Sequence, residues 1–123
     1  MGKAVHSDVL DGALNVVKAA ATRMVALAAQ PADYAAANAG KLAEAIMASG
    51  DFTLAVGDVN GRKAIVAAKS GLSVIAAGTA NHVALVDPGT SRLIYVTTCP
   101  AQAVVTGGTV DFAAWDIEMG DPV

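Results

Sequence analysis

The stretch Asn81 to Thr98, NHVALVD-PGTS-RLIYVTT, constrains this chain more than any other. Two apolar, β-branched runs flank a four-residue turn built on Pro88 and Gly89. Runs of that kind, bounded by turn residues, read as paired strands. Material of the same character fills most of the chain after residue 50. Phe52–Val56 is a short strand, and Asn60-Gly61 is a turn dipeptide. Lys63–Ala68 is a second strand, turned at Ser70-Gly71 into Leu72–Ala76. After Cys99-Pro100, a strand over Gln102–Thr106 meets the Gly107-Gly108 hairpin turn. Thr109–Ala114 then returns, and Trp115, Ile117 and Met119 alternate towards the end. Short strands at about ten-residue spacing suggest a sandwich or barrel.

The first fifty residues have another periodicity. Residues 1–6 read as an extended arm, and Ser7 or Asp8 supplies a helix N-cap. Leu10, Leu14, Val17, Ala21, Met24 and Ala28 recur at four- and three-residue steps, which predicts one Ala-rich helix to Ala29. Val9, Ala13, Val16, Ala20 and Leu27 make a second stripe beside it. A helix apolar over so much of its girth is expected to meet the chain's own β part on one side. The second stripe meets a neighbouring element or subunit, or is a solvent-facing alanine surface. Pro31 ends this helix. Asp33 caps a second, Tyr34 to Ala48, with a break expected near Gly40. Ser49-Gly50 stops it.

The expected architecture is α+β, as one compact unit. A helical segment with its arm occupies 1–50, and a mainly antiparallel β-sandwich or barrel of about 6–8 short strands occupies 51–123.

Composition limits the function. The chain has 123 residues, enough for one domain. It is 54% apolar, alanine is its commonest residue, and only 15% is charged, against about 25% in typical soluble domains. Such a surface exposes apolar patches, which mark contact with other proteins. The net charge of −3 and the scattered lysines and arginines argue against nucleic acid. No uncharged run approaches the ~20 residues of a membrane span. The first residues hold no apolar signal core, and His6 breaks the myristoylation pattern that Met-Gly begins. These features imply synthesis in the cytoplasm and no membrane partner.

His6 and His82 lie far apart, without HExxH or cysteine partners. Cys99 is the only cysteine, so it reads as a thiol in or beside a strand. Asp58, Asn60 and Gly61 match part of a calcium loop but lack its remaining ligands. Asp116 and Glu118 fall on one face of a strand, where they can form a carboxylate pair or protect an edge. Trp115 anchors either the core or an interface. No phosphate loop or serine elbow is present. The reading is therefore not an enzyme, with no catalytic residue, metal ligand or cofactor assigned.

Three stretches carry a resemblance: DFTLAVGDVNGRKAIVAAKSG, TANHVALVDPGTSRLIYVTT and VVTGGTVDFAAWDIEMGDP. They resemble small virion structural proteins of tailed bacteriophages, in which an Ala-rich helix precedes a β domain. The resemblance covers residues 51–122, and the helix only in general character. It implies a capsid decoration (cement) protein on the virion, made in the host cytoplasm. Its implied partners are the major capsid protein and other copies of itself, a trimer being the natural guess. A tail, fibre or head–tail connector component is the alternative, and a small carbohydrate-binding module is a second. A cement protein bridges shell subunits, its arm at 1–6 available for a contact that extends a neighbour's sheet.

Overall fold

A computed structural model describes residues 3–121. It is α+β, with two helices and nine strands, every pairing antiparallel. The first helix, α1, is Ser7–Ala20. His6 is its N-cap, its Nδ1 accepting the Asp8 N–H at 3.1 Å, so the cap lies one residue before the serine. Leu10 and Leu14 are buried, and Val17 packs partly against the same core. These three positions form the inner stripe at helical spacing. Arg62 Nε donates to Asp11 Oδ1 at 2.8 Å and ties the helix to the strand beneath.

The helix does not run on to Ala29. Strand β1 (Arg23–Leu27) follows after two residues. Met24, Val25, Ala26 and Leu27 are all buried, because β1 is an inner strand paired on both sides. One neighbour is β2 (Ala43–Ile46) and the other β6 (Gly78–Asp87). A short run apolar on both faces has no period by which to tell strand from helix, and here sheet pairing overrides alanine's helix propensity. The second helical segment is cut at the break expected near Gly40. Helix α2 spans Tyr34–Gly40, capped by Asp33 Oδ1 on the Ala36 N–H at 2.8 Å. Residues expected to continue it form β2, and Ser49–Asp51 make one turn of 3-10 helix.

The first sheet runs β2-β1-β6-β7, where β7 is Arg92–Val104. The opening hairpin is β6–β7, and β7 is longer than expected. It passes through Cys99-Pro100 into the stretch read as a separate strand. Pairing moves from Ala80↔Gln102 to His82↔Thr98, so Asn81 faces three residues, Cys99, Pro100 and Ala101. This bulge accommodates a proline that lacks a ladder donor. One face of the sheet, with Met24, Ala26, Val83 and Leu85, enters the main core. The other, with Val25, Leu27, Ala84 and Val86, packs under Ala37 and Tyr34 of α2. Two covered faces explain why VALV reads as a continuous apolar run.

The second layer is a bent ribbon. One arm is β4 (Arg62–Val66) then β5 (Lys69–Ser73), and the other β8 (Thr109–Phe112) then β9 (Trp115–Met119). Val66↔Trp115 and Lys69↔Phe112 keep one register across the gap. Four alanines, Ala67, Ala68, Ala113 and Ala114, occupy the bend. There the Ala67 N–H leaves the ladder for the Asp51 carbonyl at 2.8 Å. Strand β3 (Phe52–Val56) adds to the β4 side.

Two expected hairpin turns take other roles. Gly71, at φ 68°, lies inside β5, where the register shifts and Asp111 Oδ1 accepts its N–H at 2.7 Å. Gly107, at φ 86°, does sit in a turn, but that turn carries the chain from β7, paired with β6, to β8, paired with β5. Residues on both sides of position 50 therefore share one sheet and one core.

Candidate functional site

The residues singled out for chemistry turn out to have structural partners. Asp116 and Glu118 do not form an open carboxylate pair. Lys63 Nζ bridges Asp58 Oδ1 at 2.7 Å and Asp116 Oδ2 at 3.1 Å. Glu118 Oε1 accepts the N–H groups of Asp58 and Val59. Asn60 Oδ1 accepts the Asp121 N–H at 2.8 Å. Together these contacts clasp the terminal strand to the β3–β4 turn, which is what the fragment resembling a calcium loop does here. Gly61 makes the clasp fit. Its φ is 71°, and a Cβ there would stand 2.0 Å from the Met119 carbonyl oxygen.

His6 caps α1, and the His82 Nδ1 lies 2.6 Å from its neighbour's Asn81 Oδ1. Among the described residues no group of three or more His, Cys, Asp or Glu is placed to hold a metal. No described helix is long and apolar enough to cross a membrane. The arm at 1–6 lies partly outside the described residues, at Met1 and Gly2. The Cys99 thiol is half-buried, and burial raises its pKa, which keeps it protonated and poorly nucleophilic.

Trp115 is half-buried. Its ring stacks on Tyr95, with centroids 5.8 Å apart and planes at 29°, and it packs against the main core. Its indole Nε1 is enclosed without a hydrogen-bond partner. Trp115 lines a cleft of about 470 Å³ between the bulge of β7 and the bend of the second ribbon. The hairpin's own turn is well organised. Asp87 accepts from the Gly89 N–H at 3.1 Å and the Thr90 hydroxyl at 2.8 Å, and pairs with Arg92 at 3.2 Å.

The outer surface supplies the other feature of note. The second stripe of α1 is exposed, Val9 by 62% and Val16 by 53%, with Ala13 between them. Val56 and Val59 stand exposed by 71% and 85% near the clasp. Ile75 and Val105 flank the segment where Val74 bonds the Gly107–Gly108 turn. Sequence reasoning singled out none of these last four, since an apolar residue in a strand pattern gives no sign of which face it takes.

The ion pairs predict an acid limit to stability. The Asp51 carboxyl is held below its ordinary value by the Ala48 N–H and then by Lys69. Asp58 is lowered by Lys63, and Asp87 by the Thr90 hydroxyl and then Arg92. Lowered carboxylates bind fewer protons folded than unfolded, so stability rises with pH through their range. Their contribution is complete above the unfolded value of 3.8 and is lost as pH falls below it. Lys63 is raised by Asp58 and Asp116, so its contribution holds below 10.5 and fades above. Because these pairs are solvent-accessible and each contributes little, thermal melts followed by circular dichroism should give a plateau at neutral pH, a modest decline below about pH 4, and a slight decline at strongly alkaline pH.

Comparison with protein families, curated proteins and solved structures gives no match.

Proposed function

We propose that the chain is a bacteriophage virion structural protein that decorates the outside of the head and cements its major capsid subunits. The observation that carries this reading is the surface. Large apolar side chains stand exposed on several faces of a chain that is only 15% charged. Contiguous apolar patches mark protein contacts, and Val9, Ala13 and Val16 line up as one exposed apolar stripe along α1. A subunit held among many neighbours needs several such contacts, each individually weak and strengthened by repetition around a closed shell. The outer edges of β3, β7 and β9 add backbone groups that a neighbour's strand can pair with. The resemblance of residues 51–122 to phage structural proteins points the same way.

In this role the protein performs no chemistry. Its partners are the major capsid protein and further copies of itself, and its place is the capsid surface. Immunogold labelling of purified particles with antibody against the chain tests the position. Label over the head is the expected result. Label confined to the tail would replace decoration with a tail or connector role, and unlabelled particles would refute both.

A further inference from the structure

The two bends of the molecule face each other across the cleft. In the β6–β7 ribbon the bend is the bulge opposite Asn81. In the second ribbon it is the four-alanine gap between β4–β9 and β5–β8. Each wall is an edge. Strand β7 has only β6 as a hydrogen-bonded neighbour, β8 has only β5 and β9 has only β4. The backbone on the outer side of these strands can therefore take a further strand.

Three further features describe the occupant. The buried lining includes Ala80, Val83 and Phe112, and the small residues among them leave room for apolar side chains. The exposed lining carries Asp111 and Asp116 and no lysine or arginine. Asp116 is shared with Lys63, whereas Asp111, whose Oδ1 accepts the Gly71 N–H, has no ion-pair partner among the described residues and keeps its charge uncompensated. Finally, the enclosed Trp115 indole N–H is the only buried side-chain nitrogen or oxygen among the described residues without a partner. A buried donor of that kind costs free energy until an acceptor meets it.

We infer that this cleft receives an extended, basic peptide segment of the partner protein. Its small apolar side chains enter between the bends, a lysine or arginine stands near Asp111, and a backbone carbonyl accepts the Trp115 N–H as the ring shifts. An extended strand supplies acceptors at the spacing a strand edge requires. A small molecule with one carbonyl would satisfy the indole but leave both edges unpaired. The inference relies on the assembly reading only for the partner's identity.

Trp115 is the chain's one tryptophan, so its emission reports the cleft directly. The full-length protein is titrated at low salt with the capped pentapeptide Lys-Ala-Val-Ala-Lys and with its twin carrying glutamate at both ends. The lysine peptide should change the emission saturably, and the glutamate twin should bind at least about fivefold more weakly. Ala113→Arg, at an exposed position on the rim, should abolish the lysine-peptide response while circular dichroism and melting stay unchanged. Absence of a saturable change, equal binding of the two peptides, or an unaffected Ala113→Arg variant would each overturn the inference. Particles that carry the chain despite a failed titration would leave the assembly reading standing without the cleft. A positive titration with particles that lack the chain would do the reverse.

Discussion

Phe52→Ala should lower the stability of this protein by about 3–5 kcal/mol, the range for truncating a buried aromatic. Phe52 is 1% exposed and is the largest of the fully buried side chains. It opens β3 directly after the 3-10 turn and pairs with Val66, itself fully buried. In the main core it belongs with Leu14 of α1 and with Met24 and Leu85 of the first sheet. The other members of that core are mostly alanine and valine, side chains too short to close over the hole. The upper part of the range is therefore expected. Against a typical total of about 5–15 kcal/mol, the variant would be marginal at best. Urea unfolding should show a lower midpoint with an unchanged slope. A loss under about 1 kcal/mol would mean that Phe52 is not at the centre of the core.

The second large effect separates the two stripes of α1. Leu14→Ala should cost about 2–5 kcal/mol, because Leu14 is completely buried in the main core. Val16→Ala, two residues away on the exposed stripe, should stay within about 0.5 kcal/mol, and alanine's better helix propensity offsets part of even that. Both variants are measured by the same urea titration. Equal losses would mean that the helix is rotated from the position described. A small loss at Val16 also leaves the outer stripe free to serve contacts instead of stability, which is how an assembly surface differs from a core.

Much of the β half is legible in the sequence. The Pro88-Gly89 turn, the Asn60-Gly61 turn and the FTLAV strand all appear where their residues place them, since turn chemistry acts locally. Residues 21–29 and 43–48 were not legible. Both are alanine-rich segments with a helical period, and both contribute strands whose partner β6 or β1 lies elsewhere in the chain. Propensity acts on neighbours in sequence, whereas this pairing is set by neighbours in space. The same limit hid the continuity of β4–β5 with β8–β9. Ser70-Gly71 and Gly107-Gly108 look like hairpin turns locally, yet one is a bulge and the other crosses between layers.

The candidate surface divides in the same way. The roles of His6, Asp116 and Glu118 follow from partners that spacing alone does not reveal. The cleft had no sequence signal at all. It arises where a proline bulge in one ribbon meets an alanine bend in another, and only the fold brings these together. Trp115 is able from its sequence to serve either core or interface, and in the fold it touches Tyr95 and the main core and also lines the cleft.

The measurement that bears most directly on the central claim is the number of copies of this chain per particle. It is obtained by quantitative peptide mass spectrometry of phage particles purified from the host that encodes the chain. A head-decorating protein is expected in a copy number comparable to that of the major capsid subunit. Particles that contain none of it would contradict the account.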